Sequence, residues 1–118
     1  MSKYISNGAN IIAIITNDAW WGNTPGHKHH QFYAKLRAIE TRKWVVRSAN
    51  TGISCFIDPI GNVYQPQPWA KEAAIKMNVP INNTQTFFVR FGDIISKAAL
   101  AICILFLVFA VAKRFTKS

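Results

Sequence analysis

Few side chains in this 118-residue chain could carry chemistry, and they lie in three places. His27, His29 and His30 flank Lys28 and resemble half of a metal site. A metal would need a further carboxylate or thiolate, and the neighbouring residues offer none at ligand spacing. The cluster therefore reads first as polar residues at a helix start, with one ring serving a ligand pocket as the sharper alternative. Cys55 lies in an apolar, strand-like run. A nucleophilic thiol needs a base and partial exposure, so Cys55 reads as a buried, inert thiol, and Cys103 in an apolar span reads the same way. Trp20-Trp21 stands in a Gly/Asn loop, where two adjacent indoles rarely both find core. One of them is expected at a pocket wall, a lid or a membrane surface.

The elements that must position these groups follow from periodicity and breakers. Residues 2–7 read as the end of a helix closed by Gly8. Asn10–Thr16 is a continuous β-branched run, the pattern of a strand buried on both faces with parallel neighbours. The Asn17–Asn23 loop then lies at that strand's C-terminal end, where open α/β sheets place binding groups. Thr24-Pro25 supplies an N-cap and a first-turn proline. Phe32, Leu36 and Ile39 continue at helical spacing to about Trp44, with Arg37, Glu40 and Lys43 on the outer face. Trp44–Arg47 and Gly52–Ile57 read as strands, Asp58–Asn62 as a turn, Val63-Tyr64 as a hairpin partner and Ala73–Val79 as a last strand. Residues 80–93 look irregular.

The remaining composition is decided by one segment. Ala98–Ala112 contains no charge, and counted from Ile94 the apolar stretch spans roughly 28 Å as a helix, close to the ~30 Å hydrocarbon core of a bilayer. Lys113-Arg114-Phe115-Thr116-Lys117 follows at once, so 94–112 reads as a transmembrane helix and 113–118 as a basic cytoplasmic tail. The net charge is +9. Residues 1–97 carry 11 basic against 5 acidic groups, hence +6, beside the span. That suits anionic headgroups. The cations are scattered and no nucleic-acid motif occurs, so no nucleic-acid partner is expected. Two cysteines exclude a disulfide scaffold, Met1-Ser2-Lys3-Tyr4 leads into no signal-peptide core, and no metal or cofactor is implied.

Four motifs in order, Asn17-Asp18-Ala19-Trp20-Trp21-Gly22, Arg37-Ala38-Ile39-Glu40, Arg47-Ser48-Ala49-Asn50-Thr51-Gly52 and Asp58-Pro59-Ile60-Gly61, followed by a membrane helix, carry a resemblance. They resemble the second half of the carbon–nitrogen hydrolase (nitrilase-like) domain of bacterial apolipoprotein N-acyltransferases, over residues 3–112. The resemblance implies an α/β fold, the C-terminal half of an αββα sandwich over 1–93, followed by one transmembrane helix. It implies acyl transfer from a phospholipid donor, through a Cys thioester, to the N-terminal diacylglyceryl-cysteine of a lipoprotein acceptor. It also implies a domain on the outer, periplasmic side of the cytoplasmic (inner) membrane.

Carried over residue by residue, Asn17, Trp20 and Trp21 match the loop beside the family's active site, His30 a helix-start histidine, and Arg47, Asn50 and Thr51 the turn at the rim. Substrate-binding residues are thus expected at Asn17, Trp20, Trp21, His30 and Asn50. The family's Glu–Lys–Cys triad lies upstream of the segment matched by Lys3–Asn10; Cys55 and Glu40 do not align with it. The chain is therefore expected to be a C-terminal fragment, inactive alone, from a truncated gene, a misplaced start or a split protein whose N-terminal half is its partner. A soluble-type amidase relative and a non-catalytic, membrane-anchored module are the rival readings.

Overall fold

The computed structural model describes residues 1–116. Helix α1 spans Ser2–Ser6, strand β1 Ile11–Thr16, a short 3-10 turn Ala19–Trp21, helix α2 Pro25–Thr41, strand β2 Trp44–Ala49, strand β3 Cys55–Ile57 and strand β4 Val63–Tyr64. Helix α3, Phe87–Phe91, and helix α4, Ile94–Thr116, complete the order. One sheet runs β1-β2-β3-β4. β1 and β2 are parallel, with Ile11 opposite Trp44 and Thr16 opposite Ala49, so α2 is the crossover of a β–α–β unit. β2, β3 and β4 are antiparallel.

Local chemistry sets the boundaries. The Thr24 hydroxyl accepts from Gly26 N ahead of Pro25, the expected N-terminus of α2. The helix ends at Thr41, earlier than the apolar spacing suggested, because Arg42 turns into the left-handed region (φ 54°) and releases Trp44 to β2. Gly8, at φ +101°, follows α1 as anticipated. At Asp58 the carboxylate accepts from Ile60 N, Asn62 N, Asn62 Nδ2 and the Tyr64 hydroxyl, which closes the β3–β4 turn. Burial alone would raise that carboxyl, but these donors outweigh it and hold it below the usual aspartate range.

The core lies between α2 and one sheet face. Ile12, Val45, Cys55 and Ile57 meet Ala34 and Ala38, with Ile5 of α1 and Val89 of α3 closing one end. The α2 face is therefore a pair of alanines. Phe32 is exposed and Leu36 and Ile39 are only half-buried, because a helix lying close on a sheet has room for methyl groups and displaces larger side chains to its flanks.

Three further expectations are corrected. β1 is an edge strand, not one enclosed on both faces: its only sheet neighbour among the described residues is β2, and Ile15 is 89% exposed. Ala73–Val79 forms no ladder, although Ile75, Met77 and Val79 are half-buried and their neighbours exposed. The run has the alternation of a strand without a backbone partner, and residues 73–75 lie over Val46, Ser48 and Phe56 on the far sheet face. Lys43 is not on the outer face of α2 but buried beyond its end, while Arg37 and Glu40 do form the expected ion pair at 2.8 Å.

The C-terminal segment has the predicted apolar helix. Ile94–Arg114 is long and apolar enough to cross a membrane, and its most apolar stretch of 18 residues is exposed among the described residues. The helix continues through Lys113 and Arg114 to Thr116, so most of the segment read as a tail is helical; its last two residues, 117–118, lie outside the described residues.

Candidate functional site

Parallel pairing brings the C-terminal ends of β1 and β2 side by side, and the loops leaving them form the site. Asn50 N donates to Thr16 O (2.9 Å), and the Thr51 hydroxyl donates to Asn17 Oδ1 (3.2 Å), which also accepts from Ala19 N. The two loops are thereby tied together just beyond the sheet.

Asp18 is the hub. It is fully buried, and its Oδ2 accepts from Arg47 Nη2 at 2.7 Å. Its Oδ1 lies 2.8 Å from His30 Nδ1 and accepts from the Thr16 hydroxyl at 3.1 Å. Arg47, also fully buried, donates its other Nη to Ile53 O at 2.5 Å, while its Nε has no hydrogen-bond partner among the described residues. Burial pushes the Asp18 carboxyl upward, but Arg47 and His30 outweigh that and hold it below the usual aspartate range. An ionised carboxylate can only accept, so His30 Nδ1 carries the hydrogen of that contact. Arg47 Nη2, 3.3 Å from the same nitrogen, is then a neighbour and not a second donor to it. The buried carboxylate thereby fixes the orientation of the His30 ring.

Two glycines make this packing possible. A Cβ at Gly52 would fall 2.0 Å from Asp18 Oδ2, so the Arg47–Gly52 turn must end without a side chain for the carboxylate to sit there. A Cβ at Gly26 would fall 2.6 Å from Trp21 Cγ, so the first turn of α2 is bare where the indole lies on it. Trp21 meets the His30 ring edge-on at 5.1 Å. Trp21, Gly26, His29, His30 and Tyr33 line a cleft of roughly 230 Å³.

The anticipated site residues divide in this setting. Asn17, Trp21, His30, Arg47 and Thr51 converge on one knot. Asn50 joins through its backbone, with its side chain exposed, and Trp20 projects into solvent at 87% exposure. The three histidines diverge. His27 is buried against Trp69 (ring centroids 4.4 Å), His29 is exposed, and His30 turns to Asp18. No group of three or more His, Cys, Asp or Glu among the described residues is placed to hold a metal ion. Cys55 is fully buried, and burial raises its thiol pKa despite Gln31 and Arg47, so the group stays protonated and unreactive. Asp18 itself was not singled out in the sequence. Its signal was there: an aspartate two residues beyond an apolar strand, with an arginine at an inward position of another.

Residues 2–87 match the carbon-nitrogen hydrolase family. The chain is 35% identical over 115 residues, 97% of its length, to an apolipoprotein N-acyltransferase of Chlorobaculum tepidum, and 35% identical over 98 residues, 83% of its length, to that of Geobacter metallireducens. It is 52% identical over 58 residues, 49% of its length, to that of Allorhizobium ampelinum. The chain spans only 22%, 19% and 11% of these relatives. With a mixed α/β sheet, the Asp18 knot at its strand ends and one apolar C-terminal helix, the chain belongs to the carbon–nitrogen hydrolase family.

Proposed function

We propose that residues 1–93 form the C-terminal part of the catalytic domain of an apolipoprotein N-acyltransferase, with 94–112 as its transmembrane helix and 113–118 as a basic end on the cytoplasmic side. The reaction moves an acyl chain from a phospholipid to the N-terminal amine of a diacylglyceryl-cysteine on a lipoprotein. A cysteine thiolate attacks the phospholipid ester and releases the lysophospholipid. The resulting thioester is then attacked by the amine, which loses a proton and regenerates the thiol. On this reading the nucleophile and its Glu and Lys partners come from a part of the protein outside this sequence, and the enclosure of Cys55 in the core supports that assignment for the nucleophile. No cofactor is needed for either half-reaction.

The observation that carries this reading is the Asp18–Arg47–His30 knot holding an indole-bearing loop at the strand ends, in a chain that also bears an apolar helix able to cross a membrane. Within the reaction, this chain supplies the rim. Asn17 and Thr51 fix the loop, Trp21 and His30 wall the cleft, Asn50 and Trp20 face the substrates, and Trp20 offers an apolar surface to acyl chains. Lys113 and Arg114 at the far end of α4 favour the cytoplasmic side, which leaves the domain on the outer face of the cytoplasmic membrane.

A chimera tests this. The 115 residues matched in the Chlorobaculum tepidum protein are replaced by this chain, and transfer of labelled acyl groups from phospholipid vesicles to a diacylglyceryl lipopeptide is followed. Transfer that survives the exchange and falls at least about tenfold with Asp18→Ala supports the reading. A folded chimera that hydrolyses small amides but acylates no lipopeptide refutes it in favour of an amidase.

A further inference from the structure

A second exposed aromatic group lies far from the knot, next to the membrane helix. α3 is only five residues long, yet Phe87 and Phe91 are 65% and 55% exposed, with ring centroids 4.7 Å apart. They stand four positions apart on one side of the helix, while Val89 points into the core. Arg90 between them is exposed.

α3 is held to the domain at several points. The Thr86 hydroxyl accepts from Val89 N as its N-cap and donates to Glu40 O at the end of α2. α1 packs along it, and Gln85 donates to Ser6 O. Its connection to α4 is equally short. Gly92 turns at φ 71°, and Asp93 caps the next helix by accepting from Ser96 N at 3.0 Å and the Ser96 hydroxyl at 2.5 Å. Lys97 lies back over this junction, its Nζ near Gly92.

The apolar part of α4 from position 94 to 112 is about 28 Å of helix, close to a ~30 Å hydrocarbon core, which keeps the Ile94 end near the headgroups. Phe91 is three residues from Ile94, within about 10 Å of chain. Phe87 is only ~6 Å further along the helix.

We infer that α3 lies flat in the headgroup–acyl boundary of the bilayer that α4 spans, with Phe87 and Phe91 both in contact with lipid and Arg90 and Lys97 against phosphate. The occupant of this face is a phospholipid surface, because the face continues directly into the membrane span and is flanked by cations. Aromatic side chains with basic neighbours are the composition of interfacial helices. Since α3 is locked to α1 and to the end of α2, the contact sets how the domain sits on the membrane. The inference rests on α4 spanning a bilayer.

Nitroxide labels read both points in the full chain reconstituted into vesicles of zwitterionic and anionic phospholipid. Cys55 is buried and stays unlabelled, so Phe87→Cys, Phe91→Cys and Leu105→Cys are each made with Cys103→Ser, and collisions with oxygen and with a water-soluble nickel chelate are compared. The expected result is equal depth for labels 87 and 91, near the phosphates, with nickel collisions several-fold below those of a nitroxide on a soluble peptide. Label 105 is then oxygen-rich and nickel-poor. Label 87 as hydrated as the soluble peptide, with 105 still in lipid, overturns the inference and leaves the span intact. Labels 87 and 91 shielded from both reagents also overturn it, since that face would be covered by protein. Label 105 in water removes the membrane span, and the inference with it.

Discussion

Two cations are buried in this domain to the same extent, and they are treated differently. Arg47, on β2, is 1% exposed and faces an anion, Asp18, at 2.7 Å. Lys43, four residues earlier and also 1% exposed, has no carboxylate partner among the described residues. Its Nζ donates to Asn82 O at 2.5 Å and Asn82 Oδ1 at 3.0 Å, and Asn82 Nδ2 in turn donates to Arg42 O. Burial lowers the Lys43 pKa. The difference follows from geometry and location. A guanidinium offers a planar fork that can bridge Asp18 and Ile53 O in one plane, whereas an ammonium is a point donor that two oxygens of one residue can satisfy. The arginine end forms the candidate site. The lysine end is a latch that fastens residues 82–86, and so α3, to the end of α2.

The sharpest way to break the comparison is to remove the arginine. Arg47→Ala leaves a buried carboxylate without its cation, and loss of one partner of such a pair costs about 3–5 kcal/mol. Chemical unfolding of the full chain in micelles should show a loss of that order. The pair Arg47→Met with Asp18→Leu should recover more than half of it, because no buried charge is left uncompensated. Acid adds a second handle. The folded-state pKa of Asp18 is lowered, so its contribution is fully present above the ordinary aspartate value of 3.8 and is lost as pH falls through the folded value. Asp58 adds to the same acid limb, so the Asp18→Leu, Arg47→Met pair should lose part of the slope and keep the rest.

The lysine predicts a smaller effect and the opposite limb. Lys43→Met removes two hydrogen bonds but also a buried charge without an anion, so the net loss should be about 1–2 kcal/mol near neutral pH. The folded pKa of Lys43 lies below 10.5. Between the two values the unfolded chain holds the proton that the folded chain has released, so the charge penalty is relieved as pH rises toward 10.5. Wild type should therefore gain relative to Lys43→Met on the alkaline side, read as a widening gap in unfolding midpoint. A gap that narrows with rising pH would mean that Lys43 is paired more strongly than Asn82 alone provides.

How much of this was legible in the sequence depends on whether the signal was local. The Thr24-Pro25 start of α2, the Asp58–Asn62 turn, the β1 run and the apolar α4 are written in neighbouring residues, and all four formed. Asp18 was visible only as part of a motif, because its meaning lies in Arg47, 29 positions away, and in the missing side chain of Gly52. Lys43 read as an outer-face residue because helical spacing continued past Thr41, and the left-handed turn at Arg42 has no local marker such as glycine. Ala73–Val79 shows the same limit in another form. A period of two predicts which side chains alternate, and they do, but a strand also needs a neighbouring backbone, which periodicity cannot supply. The five residues of α3 escaped notice because so short a helix depends on Thr86 and on packing against α1, not on a pattern of its own.

Trp20 gives the smallest expected change in stability and separates folding from function most cleanly. It sits two residues from Asp18, yet its ring is 87% exposed and takes no part in the bonds that close the knot. Trp20→Ala should leave the unfolding midpoint within about 0.5 kcal/mol of wild type, as for surface positions outside any packed feature. If the indole receives acyl chains, the same substitution in the Chlorobaculum tepidum chimera should raise KM for the phospholipid several-fold and change kcat less, because an apolar surface that binds the ground state and transition state alike is lost from KM. Trp21→Ala, by contrast, uncovers Gly26 and the His30 ring and should affect both stability and kcat. Equal kinetics for Trp20→Ala and the parent chimera would confine the site to the inner indole, leaving the outer one without a role in donor binding.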